Sequence, residues 1–206
     1  MRIGVFGGTF DPVHLGHLIL AEQCREQAQL DRVLFIPSAR PPHKRDQPLT
    51  AFRHRVEMMQ FAVAGHPVFR IDELEEKRAG PSYTADTLEE LRRRDPEAQL
   101  WLMIGADCVP DIPSWHEPAR IISAAGLLIV ARPGSPTWSD AELRTNLGMS
   151  PESVLNYQTV HMPLIEIASR DIRRRVREGR SIRFLVPRAV ECYIETYHLY
   201  GDTALK

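Results

Sequence analysis

Lysine is nearly missing from this chain. Lys44, Lys77 and Lys206 stand alone among 26 basic side chains, and the rest are arginine. Coding-sequence composition is the bland cause of such a bias; oxyanion binding by a planar fork is the functional one, reserved here for local clusters. Cysteine is scarce too. Cys24, Cys108 and Cys192 lie far apart with no C-x-x-C pair, which disfavours a disulfide framework or a cysteine-rich zinc site and suits a reducing compartment. No apolar run approaches the ~18 residues of a membrane span. Met1–Phe6 runs straight into glycines without a separate signal segment, so a cytoplasmic location is expected. Charge is balanced as well: 26 basic against 27 acidic residues give a net −1, which speaks against a dedicated nucleic-acid binder. The sequence shows no serine elbow, Cys–His pairing, acidic dyad or dedicated metal cage.

What is present is a core and a pattern. The chain is 206 residues long and 43% apolar, enough for one globular domain spanning 1–206. Arg2–Phe6, Val33–Ile36, Val68–Ile71, Leu100–Ile104 and Leu127–Ala131 read as strands, and Val160 lies in a sixth. Helical spacing marks Leu15–Ala28, a helix capped by Thr50 and ended by Gly65, and another capped by Thr84 that stops at Asp95-Pro96. Ser169–Glu178 and Pro187–Tyr197, with Pro187 as its first residue, make a small C-terminal helical segment over about 169–206. Ser38–Leu49, with its three prolines, is a loop, and Asp140–Leu155 has no readable periodicity. Strands alternating with helices predict an α/β fold, a doubly wound, Rossmann-like, mostly parallel sheet with helices on both faces. In such sheets the ligand sits beyond the carboxyl ends of the strands, where the topology switches. Residues just after Phe6, Ile36, Ile71, Ile104 and Ala131 are therefore expected to line one site.

After the first strand stands Gly7-Gly8-Thr9-Phe10-Asp11-Pro12-Val13-His14-Leu15-Gly16-His17. Two glycines allow a tight turn whose N–H groups face an anion, and the following helix adds its positive end. His14 and His17, three apart in the first helical turn, project toward that anion. Gly16 removes a side chain where a flat ligand could press on the backbone. The string differs from G-x-G-x-x-G and from the P-loop pattern, so hydride chemistry and ordinary P-loop hydrolysis lose ground. A turn with two solvent-exposed histidines and a two-ligand zinc site are the bland alternatives.

The H-x-G-H signature after a first strand resembles the nucleotidyltransferase superfamily shared with class I aminoacyl-tRNA synthetases. The longer string is similar to that of the bacterial nicotinate-mononucleotide adenylyltransferase family, and the resemblance runs across nearly the whole chain. It implies that His14 and His17 grip ATP phosphates, with Gly7, Gly8, Thr9, Phe10 and Gly16 forming the ATP-binding turn. Pro41-Pro42-His43-Lys44 resembles the family's basic phosphate loop, which makes Lys44 a catalytic and substrate-binding candidate. Pro81-Ser82-Tyr83-Thr84 followed by Thr87-Leu88 resembles the acceptor-recognition segment. Gly105-Ala106-Asp107 followed by Trp115 resembles the stretch that holds a ribose and stacks on a pyridine ring, with His116 beside it. Where the family typically reads I-S-S-T-x-I-R, this chain has Ile167-Ala168-Ser169-Arg170-Asp171-Ile172-Arg173. Ser169, Ile172 and Arg173 match, and Arg173 is a catalytic candidate. Ser169 can cap the helix, and Arg170 replaces a hydroxyl with charge toward the pyrophosphate end of ATP. The remaining arginines up to Arg183 read as solvated surface.

The resemblance thus implies joining of ATP and nicotinate mononucleotide into deamido-NAD and pyrophosphate, with Mg²⁺ on the triphosphate. The alternatives are a sibling using nicotinamide mononucleotide or phosphopantetheine, and a non-catalytic nucleotide-binding module. No nucleic-acid or membrane partner is expected, and a homo-oligomer is left open. Around Trp115 and Thr84 no arginine or lysine reads as well placed to meet an acceptor carboxylate, and the resemblance implies that main-chain N–H groups near Thr84 and His116 do so.

Overall fold

The computed structural model describes residues 1–42, 49–150 and 152–201. Strand β1 (Arg2–Gly8) leads into helix α1 (Leu15–Gln27), β2 (Arg32–Pro37), α2 (Phe52–Val63) and β3 (Phe69–Ile71). A single turn α3 (Leu74–Lys77) and helix α4 (Thr84–Arg94) then carry the chain to β4 (Gln99–Gly105). A 3₁₀ segment (Ala106–Ser114), α5 (Pro118–Ala124), β5 (Gly126–Ala131), α6 (Asp140–Asn146), β6 (Tyr157–His161), α7 (Ser169–Arg177) and α8 (Arg188–Thr196) complete the order.

All five strand pairs are parallel, in the order β3-β2-β1-β4-β5-β6. The sheet is thus wholly parallel rather than mostly so. Alternate strand residues feed two cores, as a period of two requires. Leu128 and Val130 of β5, with Trp101 and Met103 of β4, pack under α1, α2, α7 and α8. Leu127 and Ile129, with Leu100, Leu102 and Ile104, pack under α3, α4, α5 and α6. The chain winds outward from β1 to β3 and returns to place β4 beside β1. That reversal opens a crevice at the carboxyl ends of β1 and β4, where a doubly wound sheet holds its ligand.

Several expected boundaries move. Ala51, not Thr50, is the N-cap of α2; the Thr50 side chain is hydrogen-bonded to Tyr200 and its N–H donates to the Asp11 carboxylate. Tyr83 precedes α4 as its N-cap and Thr84 is its first residue. Pro187 is an N-cap rather than a first helical residue. Ala168 caps α7, since the Ser169 hydroxyl donates to the Pro12 carbonyl at 2.9 Å. Helix α5, absent from the sequence reading, begins with Pro118 at its first position. In the stretch without periodicity, α6 starts at a capping box, the Ser139 hydroxyl accepting from the Glu142 N–H while the Glu142 carboxylate accepts from the Ser139 N–H.

Candidate active site

Gly7 ends the buried part of β1. A Cβ built there would meet no atom within 4 Å, so the floor of the crevice is open at this residue. Gly8 is closed in the other direction, where a Cβ would press on the Phe10 ring at 3.1 Å. Phe10 itself is 1% exposed and anchors the turn in the core. The turn is then tied to α7, with Arg173 donating to the Asp11 carbonyl at 2.6 Å and Ser169 donating to that of Pro12. Both residues matched the family pattern, and both hold the turn's main chain.

The two histidines stack, ring centroids 3.6 Å apart and 21° from parallel. The backbone N–H of His14 donates to Nδ1 of His17 at 3.2 Å. A ring nitrogen that accepts carries no proton, so neutral His17 bears its proton on Nε2. Edge contacts from Phe10 at 5.0 Å and Phe6 at 5.9 Å lock the His17 ring. Gly16 makes room for the His14 ring: a Cβ there would lie 3.1 Å from Nδ1 of His14. That Nδ1 is buried without a hydrogen-bond partner.

Electrostatics make both rings neutral. Burial, then the charge of Arg132, lowers the His14 pKa to about 4. Burial, then His14 and Arg132, holds His17 well below its ordinary value. Arg132 directly follows β5, on the strand-end line that topology assigns to the site; it was not singled out in the sequence, although that rule pointed to its position. The first N–H of α1, at Leu15, is taken by the Leu185 carbonyl at 3.0 Å.

On the far side of the crevice, Tyr83 and His116 stack at 4.0 Å and 24°, and Nε2 of His116 lies 3.0 Å from a Glu117 carboxylate oxygen. Trp115 is half-buried against the core under α4 and α5. A Cβ on Gly105 would sit 2.3 Å from an Asp107 carboxylate oxygen, so glycine is what lets this exposed carboxylate fold back over the end of β4. Thr87 does not face the crevice. It is 3% exposed and donates to Glu75 at 2.8 Å while accepting from Arg78 at 3.1 Å. Arg78 also donates to the Tyr83 carbonyl at 3.5 Å. Arg78, six residues before Thr84 in sequence, therefore does stand beside the acceptor segment. Arg170 turns outward, its side chain 83% exposed and 4.0 Å from Asp171. Ile172 is a core residue with 0% exposure. His43 and Lys44 lie outside the described residues. Among the described residues no group of three His, Cys, Asp or Glu side chains is arranged to hold a metal ion, and no helix is long and apolar enough to cross a membrane.

Residues 5–175 match the cytidylyltransferase-like family. A protein of Thermus thermophilus named a probable nicotinate-nucleotide adenylyltransferase is 48% identical over 97% of this chain and 100% of its own. One of the same name from Thermomicrobium roseum is 47% identical over 97% of this chain and 91% of its own. Among solved structures, the nicotinic acid mononucleotide adenylyltransferase of Plasmodium falciparum, complexed with NaAD, superposes with a TM-score of 0.78 over 97% of both chains at 20% identity. A turn with the H-x-G-H histidines at the β1/β4 switch point and full-length kinship agree: the chain belongs to the nicotinate-nucleotide adenylyltransferase family of cytidylyltransferase-like proteins.

Proposed function

We propose that the protein transfers the adenylyl group of ATP to nicotinate mononucleotide, giving deamido-NAD and pyrophosphate. The observation that carries this reading is the neutral, stacked His14–His17 pair on a glycine turn whose floor is open at Gly7. The names of the relatives and the dinucleotide in the Plasmodium falciparum structure supply the acceptor.

The chemistry needs no protein nucleophile. A phosphate oxygen of the mononucleotide attacks the α-phosphorus of ATP, its lone pair forming the new P–O bond. The bond to the β-phosphate oxygen breaks, and pyrophosphate leaves with that electron pair. The attacking oxygen is already ionised at neutral pH, so no general base is required. Rate comes from aligning two polyanions and offsetting the charge that develops between them. Neutral His17 offers its Nε2–H to that charge, and His14 the N–H it carries. The triphosphate brings the Mg²⁺ with it, so MgATP is the substrate species. Arg132 adds positive charge beside the two histidines, Arg173 keeps the turn in place, and Lys44 is the basic residue that the family resemblance implies for the phosphates. Asp107 accepts from a ribose hydroxyl, Trp115 covers the pyridine ring, and the first turn of α4 at Thr84 presents N–H groups to the nicotinate carboxylate.

Pyrophosphate release from MgATP tests the reading with a panel of acceptors: nicotinate mononucleotide, nicotinamide mononucleotide and phosphopantetheine. Fastest release with nicotinate mononucleotide, one pyrophosphate per dinucleotide formed, is the expected result. Release driven by phosphopantetheine alone, or by none of the three, would overturn it.

A further inference from the structure

Behind the glycine turn lies a buried polar cluster that no reacting group touches. Asp11 is 1% exposed. Its Oδ1 accepts from the Tyr200 hydroxyl at 2.7 Å and its Oδ2 from the Thr50 N–H at 3.2 Å. Arg55, also 1% exposed, reaches in from α2, donating to the Thr9 carbonyl at 2.7 Å and to that of Thr50 at 3.0 Å. Burial lowers the Arg55 pKa, and the Asp11 charge works against that drop. Burial, then the charge and hydrogen bond of Asp11, lifts the Tyr200 phenol far above its ordinary range. Tyr200 is thus a permanent donor to a permanently enclosed carboxylate.

A buried carboxylate and guanidinium are expensive to desolvate, and a hydrophobic pair of the same volume often gives equal or greater stability. What this cluster supplies is position. Arg55 holds the carbonyl of Thr9, Arg173 that of Asp11 and Ser169 that of Pro12. Because peptide units are planar, fixing the carbonyls of Thr9 and Pro12 fixes the direction of the Phe10 and Val13 N–H groups, and fixing that of Asp11 holds the proline bond between them. Inside that stretch the Asp11 side chain is tied to the chain's distant end at Tyr200.

We infer that Tyr200, 189 residues from Asp11 in sequence, is a positioning residue of the reaction. It acts through the Asp11 carboxylate on the turn that carries His14 and His17. This rests on the reading that the turn meets the ATP phosphates. Donors fixed before the transition state forms are the ones that lower its energy without reorganising. Loosening the turn should therefore cost ATP recognition and rate, and leave the acceptor alone.

Tyr200→Phe removes one hydroxyl and little else. The expected result is a fall of about tenfold in kcat/KM for ATP, the size of one hydrogen bond to a charged group. The KM for nicotinate mononucleotide should stay within about twofold, with a similar ~tenfold loss in calorimetric affinity for a methylene-bridged ATP analogue. Tyr197→Phe, on the same terminal segment but packed on His54 and Tyr193, should change neither. In an Asp11→Asn background Tyr200→Phe should cost little more, because its target is already altered. A merely structural role would lower the melting temperature while leaving kcat and analogue affinity per folded molecule intact. That outcome, or losses from the two substitutions that simply multiply, would overturn the inference. Calorimetry needs no turnover, so it judges the inference even if the wild type fails to use nicotinate mononucleotide, a failure that would sink the functional reading instead.

Discussion

The imidazoles of His14 and His17 lie face to face at 3.6 Å, and the main-chain N–H of the first donates to Nδ1 of the second. Two cations would not share that separation in a buried site, and the depressed pKa of each ring follows from burial and from Arg132. The pair is a preformed set of neutral donors held for a polyanion. Its cost appears in the ligand-free protein as a dependence of stability on pH.

His14 titrates near 4 when folded against 6.5 when free, so between those values the unfolded chain binds the extra proton. Stability then rises with pH; it is fully present above 6.5 and lost as pH falls toward 4. Linkage puts the His14 share at about 2 kcal/mol between pH 7 and pH 5. Urea denaturation at both values should show His14→Gln losing less stability on acidification than the wild type, by about that amount. Equal losses in the two proteins would contradict a neutral, buried His14.

Arg170 stood in sequence where a threonine hydroxyl is usual, and charge toward the pyrophosphate was the natural expectation. The side chain instead points into solvent, 83% exposed. Arg170→Ala is accordingly expected to change the KM for ATP by less than about twofold, since exposed single charges are worth ~0–1 kcal/mol. Steady-state kinetics at varied ATP checks this, and a tenfold rise would show that the arginine swings onto the phosphates when ATP binds.

Thr87 bridges Glu75 and Arg78 in a buried network beneath the acceptor segment. Thr87→Val keeps the shape and removes both bonds, leaving buried polar atoms unsatisfied at a cost of ~1–3 kcal/mol. Thermal unfolding should show that loss. An unchanged melting temperature combined with a raised acceptor KM would return Thr87 to direct substrate contact.

Acceptor choice follows from the same segment. N–H groups in the first turn of α4 welcome a carboxylate and oppose an amide NH₂, an unpaired clash of ~1–3 kcal/mol. Specificity constants for the two mononucleotides should favour the acid by at least about tenfold. The preference should persist at high salt, because hydrogen bonds made at contact distance are little screened. Equal constants, or a preference for the amide, would contradict it.

The strands were legible because β1, β2, β4 and β5 are short apolar runs bounded by Gly, Pro or charged residues, buried on both faces. The glycine turn was legible because its eleven residues are contiguous. What sequence did not disclose is what reaches that turn through space. Asp11 is bonded by Tyr200 and lies in the field of Arg55, both from distant elements, and no local period marks such relations. Thr50 and Ser169 look like helix caps, yet tertiary partners, Tyr200 and Pro12, take their hydroxyls instead. Helix α5 escaped because it has only seven residues, although Pro118 announces its start. The capping box at Ser139 and Glu142 was a readable signal for α6.

In the proposed reaction His17 offers a neutral Nε2–H to the charge between the α-phosphorus and its partners. The most direct test is the rate of pyrophosphate release from MgATP and nicotinate mononucleotide by His17→Ala, beside the wild type and with circular dichroism as the check on folding. An intact fold and a loss of about 10²–10³-fold in turnover are expected, the usual consequence of removing one preorganised donor. A folded variant that turns over at near wild-type rate would contradict it.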